Sequence, residues 1–398
     1  MKRFQKSFLK QEPLPQRSIE WVNEIMTTGR LHRYDVTDDD PGHAALLEQE
    51  FAVYQGSRFC LAVASCGYAL YIAMLAAGVK PRDGVLCNAF TLAPVPGAID
   101  NCGAKPILVE TTRDLTIDLD DLRAKCGQAK FLLLSHMRGH LSDMDAIRDI
   151  CAERSITLIE DCAHSLGAWW GDKRSGGFGE VSCFSTQSYK HLNSGEGGLL
   201  VSDNEDIMAK AILLSGSYML FDRHLAAPDR NRMAELATMT PNYSGRMDNM
   251  RAAALRAQIP NLDVNCARWN ERYEVLAEGL QAIAGVRLPN RFAEERYVGS
   301  SIQFCLPDYS QDQMTAVVQG CAEQGIELKY FGYDEPRGYT SRFDSWRYLH
   351  HGIQPETLPS TIRALATLLD MRVPLTFDIE DCHLIVEIIA DVFRQLDV

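Results

Sequence analysis

VSCFSTQSYKHLNSGEGGLLVSD, residues 181–203, decides how this chain is read. Two short apolar runs enclose a polar bend holding one lysine, Lys190, and the cluster Gly195-Glu196-Gly197-Gly198. Glycine lets a backbone come close to a flat ligand. A desolvated lysine amine can form a Schiff base. Ser185 ends the first run, where its hydroxyl can donate to a phosphate at a strand C-terminus or simply cap a turn. Taken alone, Lys190 reads as an ordinary solvated lysine, so its surroundings must decide.

Upstream of the bend, short apolar runs alternate with helical patterns. FCLAVAS (Phe59–Ser65), GVLCN, PILVE (Pro106–Glu110), FLLLSH (Phe131–His136) and TLIED (Thr157–Asp161) read as strands. GYALYIAMLAAG, DLDDLRAKC and DMDAIRDICAERS read as helices between them. Continuous apolar strands separated by helices predict an α/β fold with a mostly parallel sheet covered on both faces. Ligands of such sheets sit at the strand C-termini. Downstream, Ser217–Arg246 reads as a long loop, functional or at a subunit contact. Two helices follow, MDNMRAAALRAQI and NCARWNERYEVLAEGLQAI. From about Gly285, short strands (SIQFCL, IELKYF) and helices near 311–324 and 379–396 predict a smaller α+β domain. The expected division is a large domain over 1–265, with its N-terminal segment, and a small C-terminal domain over 266–398.

Composition bounds the function. The 398 residues are 46% apolar, enough for a large core, and carry a net charge of −13. An acidic chain without a basic stripe is a poor nucleic-acid binder. No apolar run has membrane-spanning length, and the basic start lacks the apolar stretch of a signal peptide. Twelve cysteines with no C-x-x-C pair fit free thiols in a reducing cytoplasm better than a zinc ribbon.

Two further segments bear on Lys190. In ASCGYAL (Ala64–Leu70) a strand runs straight into a helix, so the amides of Cys66 and Gly67 would form an anion site; a plain strand–helix turn reads the same way. In IEDCAHS (Ile159–Ser165), Asp161 ends a core strand, where a carboxylate is costly unless paired. A protonated ring nitrogen would pair with it, and His164 would reach an oxygen on the same ring; a helix N-cap and a structural histidine are the bland alternative. Together, phosphate donors, a carboxylate for a pyridinium and an amine for an aldehyde match the functional groups of pyridoxal 5′-phosphate.

These residues also carry a resemblance. SHMRGHLSDMDAI, IEDCAHSLGA and FSTQSYKHLNSGEGG resemble, in order and spacing, three segments of the DegT/DnrJ/EryC1/StrS (sugar) aminotransferases, fold-type I pyridoxal phosphate enzymes. The resemblance extends from TTGRLHRY (Thr27–Tyr34) to the helix near Gln258 and weakens beyond. It implies Lys190 as Schiff-base lysine and proton shuttle, with Asp161 on the pyridine nitrogen. It implies His164 beside the ring hydroxyl, and Ser185 with the Cys66 and Gly67 amides on the phosphate. PNYSGRM (Pro241–Met247) resembles the segment whose asparagine reaches the neighbouring subunit's phosphate, which implies Asn242 and a homodimer. The chain departs from the family at Ser65-Cys66-Gly67, which lacks a threonine hydroxyl. It departs again in PNYSGRM, which carries an insertion. It departs also in NAFTLAP, where Leu92 stands at the ring-stacking place and Phe90 two residues earlier is the expected substitute.

The implied activity moves an amino group from glutamate or glutamine to a keto or aldehyde sugar. The acceptor is a nucleotide-linked keto sugar, a keto-cyclitol or an oxidised Kdo-type ulosonate. Arg30, His32, Arg33, Arg138 and His140 hint at an anionic one. Other fold-type I chemistries, a non-catalytic binder, and a metallohydrolase on His136 and His140 with Asp143 or Asp145 are the competing readings. The last lacks the glutamate that the metalloprotease motif requires after its first histidine, Met137 standing there instead.

Overall fold

The computed structural model describes residues 2–37, 39–333, 341–349 and 357–396. Thirteen strands are present among them: β1 (Phe59–Val63), β2 (Gly84–Asn88), β3 (Lys105–Val109), β4 (Phe131–Ser135), β5 (Thr157–Asp161), β6 (Trp169–Trp170), β7 (Lys173–Arg174), β8 (Val181–Ser185), β9 (Gly198–Ser202), β10 (Glu295–Arg296), β11 (Ser301–Cys305), β12 (Lys329–Tyr330) and β13 (Leu368–Arg372). Seven form the main sheet in the order β1-β9-β8-β5-β4-β2-β3. Only β9 runs against the rest, since it pairs antiparallel with both β1 and β8.

The strands β1, β4, β8 and β9 are buried at every position. This is why they appear in the sequence as unbroken apolar runs. Alternate side chains feed two apolar layers: Leu61, Cys87, Leu133, Ile159 and Cys183 pack on one side, and Cys60, Leu86, Leu132, Leu158 and Phe184 on the other. The expected helices lie at Cys66–Ala77, Leu119–Lys125 and Met144–Arg154, and a further helix, Glu205–Ser215, follows β9. Ser65, Asp118, Asp143 and Asn204 cap them, each side chain accepting from a first-turn amide, as N-cap residues do.

A second sheet, β11-β13-β12, packs against the helices Leu262–Gln281, Gln311–Glu323 and Ile379–Gln395 in a separate apolar core. Here the structure departs from the expected division. Position 265/266 falls inside the helix Leu262–Gln281, and Phe4 and Phe8 pack edge-on against Phe377 in the C-terminal core. The IELKYF strand shrinks to two residues. The stretch expected to be a loop, Ser217–Arg246, contains the helix Arg230–Ala237, capped by Asp229. Its alternating charges hid the apolar contacts of Met233 and Leu236.

Candidate active site

The C-terminal ends of β1, β2, β4, β5 and β8 and the start of β9 meet at one edge of the main sheet. Ser185 lies opposite Gly198 in the β8–β9 register. A Cβ on Gly198 would stand 2.6 Å from the Cys66 amide nitrogen and 2.6 Å from the Ser65 carbonyl carbon. Only glycine therefore lets β9 pass against the start of the helix Cys66–Ala77. In that helix the Ser65 hydroxyl takes the Tyr68 amide and the Ser65 carbonyl takes that of Ala69. The amides of Cys66 and Gly67 are left without an internal partner, as first-turn amides are. Two amides and the Ser185 hydroxyl so form a cradle for an anion.

Lys190 sits in the hairpin loop joining β8 to β9. Thr186 and Ser194 tie the loop across itself, and Gln258 clamps Asn193 through both its side-chain atoms. His191 donates from Nδ1 to the Leu166 carbonyl at 2.7 Å and meets Ser300 Oγ at 2.8 Å through Nε2. Burial lowers the His191 pKa to about 4, so the neutral ring accepts from Ser300. The Lys190 amine has no hydrogen bond or ion pair among the described residues. Burial first, then the charge of Arg138, pull its pKa down to about 7. It lines a cavity of about 390 Å³ with Tyr189, Ser300 and Arg372.

Asp161 ends β5. Its Oδ2 accepts from Ser135 Oγ at 2.9 Å and its Oδ1 from the Ala163 amide at 3.1 Å. Ser135 in turn accepts from Thr91 Oγ1 at 2.8 Å, and its backbone is held at both ends by the Asn88 amide group. Burial raises the Asp161 carboxyl, while Ser135, Ala163 and Lys190 oppose that. A desolvated carboxylate of this kind favours a cationic neighbour. His164 Nδ1 accepts from the Arg138 amide at 3.3 Å. Burial, Lys190 and Arg138 keep its ring neutral, which leaves Nε2–H as a donor. Cys66, Asp161 and Lys190 feel one another electrostatically.

Phe90 is a correction. It is fully buried, edge-to-face on Phe331 at 5.2 Å, in a small cluster with Leu115 and Met137. It has no open face for a ring. Leu92 is only partly buried. Asn242 is exposed, its Oδ1 taken by the Ser244 amide of its own loop. That loop is strapped along the anion cradle: Ala64 donates to the Gly245 carbonyl, and Gly245 lies flat on the Tyr68 ring, 2.1 Å from where a Cβ would be. The Ser244-Gly245 insertion forms this contact.

The cationic hint also changes. Arg30 pairs with Asp40, and Arg33 is buried against Glu48 beside His224. Arg138 instead reaches Asp370 at 2.8 Å. The metallohydrolase ligands are spent elsewhere: His136 on Glu160, His140 on Gln303, Asp143 as a cap and Asp145 on Trp170. His136, Glu160 and Cys162 do lie within metal-binding reach of one another. The Glu160 oxygens, however, already accept from three amides and Ser182. Ser135, Thr91, Arg372 and Lys329 were not singled out in the sequence. Only Ser135 gave a signal, as a hydroxyl ending an otherwise apolar strand.

The donor set fits a phosphorylated aromatic aldehyde with a basic ring nitrogen. The cradle takes the phosphate, Asp161 the ring nitrogen, His164 an oxygen and Lys190 the aldehyde.

Comparison with known proteins agrees. The profile of the DegT/DnrJ/EryC1/StrS aminotransferase family matches residues 16–368. GDP-perosamine synthase of Caulobacter vibrioides is 32% identical over 222 residues, 55% of this chain and 57% of that protein. The match thus spans little more than half of that relative. 3-Amino-5-hydroxybenzoate synthase of Amycolatopsis mediterranei is 31% identical over 70% of this chain and 71% of its own. The crystal structure of a 3-amino-5-hydroxybenzoic acid synthase superposes with a TM-score of 0.82 at 24% identity, covering 97% of this chain and 99% of that one. The superposition shows the shared fold.

Proposed function

Because this chain belongs to the DegT/DnrJ/EryC1/StrS aminotransferase family, we propose that it is a pyridoxal phosphate-dependent transaminase that moves an amino group from glutamate or glutamine to a keto or aldehyde sugar. The observation carrying this reading is the Lys190 amine, unpaired among the described residues and with a pKa near 7, in one electrostatic neighbourhood with the buried Asp161 carboxylate.

When bound, pyridoxal phosphate supplies an aldehyde that condenses with amines and a ring that takes up the electron pair left as a proton leaves the substrate carbon. The protein supplies the rest. Ser185 and the Cys66 and Gly67 amides would hold the phosphate. Asp161, aligned by Ser135 and Ala163, would keep the ring nitrogen protonated. His164 would donate Nε2–H to the ring hydroxyl. Lys190, its pKa drawn down to about 7, would take the proton from the substrate carbon, work suited to a base whose pKa lies near the working pH. Leu92, only partly buried, would be the side chain available to the ring face.

Asn242 completes the phosphate site of a neighbouring protomer in a homodimer. Its exposure supports this, as does the exposure of Tyr218, Met219, Met239 and Tyr243 on the same segment, since clustered exposed apolar groups mark contact surfaces. All twelve cysteines are free and buried, which suits a reducing cytoplasm. No helix among the described residues is long and apolar enough to cross a membrane.

The test is spectroscopic. The purified protein should carry a visible absorption band that Lys190→Ala abolishes. Glutamate or glutamine should bleach the band, and a productive keto sugar should restore it. A yellow, fully active Lys190→Ala protein refutes the assignment.

A further inference from the structure

The residue after Lys190 is anchored through both of its ring nitrogens. His191 is buried, and its ring is neutral. Its Nδ1–H donates to the Leu166 carbonyl at 2.7 Å, and its Nε2 accepts from Ser300 Oγ at 2.8 Å. The ring leans on Trp269, with centroids 4.9 Å apart and planes tilted by 48°. A neutral imidazole has one donor and one acceptor. Both are spent inside the protein, so the ring keeps no polar atom for a ligand, although it borders the Lys190 cavity.

The two partners belong to different parts of the fold. Leu166 lies in the turn after β5 that carries His164. That turn has bonds of its own: the Ser165 and Ala168 amides donate to the Cys162 and Ser165 carbonyls, and Ser165 Oγ meets Ser175 Oγ at 2.7 Å. Ser300 immediately precedes β11 of the small sheet. Its carbonyl takes the Val373 amide at 3.0 Å, just past β13. The neighbouring Gly299 amide donates to Asn270 Oδ1 at 2.8 Å, on the helix Leu262–Gln281. Both partners are thus held independently of His191. The Lys190 loop is tied at its base and returning arm through Thr186, Ser194 and Asn193. Beside the lysine itself, Tyr189 is exposed and stacks on Arg372, whereas His191 is the buried anchor.

We propose that His191 is a positioning residue: it holds the Lys190 amine in place against the anion cradle and the Asp161–His164 turn, and it links that placement to the small sheet through Ser300. The proposal rests on the transaminase reading and adds to it a residue that acts through Lys190 alone. Loss of the anchor leaves the cradle, Asp161 and His164 where they are and shifts the amine. A reacting group misplaced by about 1 Å can cost about 100-fold in rate.

Two ligands separate amine placement from the integrity of the site. Pyridoxine 5′-phosphate, with an alcohol in place of the aldehyde, reads the cradle, Asp161 and His164 without using Lys190. Pyridoxal 5′-phosphate, added to the cofactor-free full-length chain, gives the visible band only as Lys190 captures the aldehyde. His191→Phe keeps a ring against Trp269 and loses both hydrogen bonds. It should slow the appearance of the band roughly tenfold or more, with pyridoxine 5′-phosphate affinity within about twofold of wild type. In the holoenzyme the maximal rate of bleaching by glutamate or glutamine should fall in step, with the half-saturating concentration within about twofold of wild type. His191→Asn, whose carboxamide nitrogen stands as many bonds from the backbone as Nδ1, keeps the Leu166 bond and should recover part of the rate. Ser300→Ala removes the other bond without altering the loop. Combined with His191→Asn it should cost no more than either change alone, because both remove the same contact. Appearance of the band at the wild-type rate in His191→Phe overturns the proposal. So does an equal loss of pyridoxine 5′-phosphate affinity, which would leave His191 as packing only, and so does a double variant whose loss is the product of the two single losses. Failure of glutamate or glutamine to bleach the wild-type band strikes the transaminase reading instead, and the capture and affinity measurements stand apart from it.

Discussion

Replacing Ser135 with alanine removes one of the two hydrogen bonds that hold Asp161. The bond is 2.9 Å long and runs from a hydroxyl to a buried carboxylate, and a bond to a charged group contributes about 1.5–3 kcal/mol. Its loss also leaves the Thr91 hydroxyl without its acceptor. The Asp161 carboxyl, already raised by burial, rises further when that bond is lost. Its hold on a protonated pyridine nitrogen weakens to match, and affinity for pyridoxal phosphate falls about 10- to 150-fold. The sign with pH follows from the charge. The Ser135 bond favours the ionised carboxylate, so the deficit is full above the Asp161 pKa and fades as pH drops through it. Titrating the visible band of Ser135→Ala with cofactor at pH 8 and at successively lower pH measures this, and Ser135→Thr should restore most of the affinity. Affinity within twofold of wild type at pH 8 would show that Ser135 does not tune Asp161.

Four other outcomes are expected. In the cofactor-free protein, acylation of Lys190 should titrate with a midpoint near pH 7; Arg138→Met, removing the largest repelling charge, should move that midpoint upward, and an unmoved midpoint rules out the coupling. Because the folded chain sheds the Lys190 proton while an unfolded one keeps it up to about pH 10.5, this group's contribution to apo-protein stability should rise with pH across that window, and Lys190→Met should flatten the rise. Gly198→Ala drives a methyl into the Ser65–Cys66 backbone, an overpacking cost of about 1–3 kcal/mol; it should reduce binding of pyridoxal phosphate far more than that of unphosphorylated pyridoxal, and equal losses would place the cradle elsewhere. Lys190→Ala and Asn242→Ala proteins, each impaired alone, should regain activity when mixed under conditions that exchange subunits, because the hybrid assembles one intact site; no recovery in verified hybrids removes Asn242 from the partner's site.

The main sheet was legible because its strands are buried on both sides and so appear as plain apolar runs. The Lys190 bend, Asp161 and the Cys66–Gly67 turn were legible because each ends a strand, where side chains and amides are free for chemistry. Errors came where a residue's partner is remote in sequence. Arg30 and Arg33 looked cationic until Asp40, Glu48 and His224 were seen beside them. Phe90 was chosen for its ring, but the end of β2 turns it into the Phe331 cluster. β13 escaped notice because Asp370 and Arg372 interrupt its apolar pattern, and they do so because that face meets the cleft rather than the core. Phe4 and Phe8 joined a core more than three hundred residues away, a contact no local pattern announces.

The helix Leu262–Gln281 roots its first half, Leu262, Cys266 and Trp269, in the large core, and its second half, Tyr273, Leu276 and Leu280, in the small one. Twenty residues span about 30 Å as an unbroken rod, so the two bodies share an axle rather than a hinge. Any change in the separation of the cleft walls must therefore bend or tilt this one helix, whose two halves are each packed into a core.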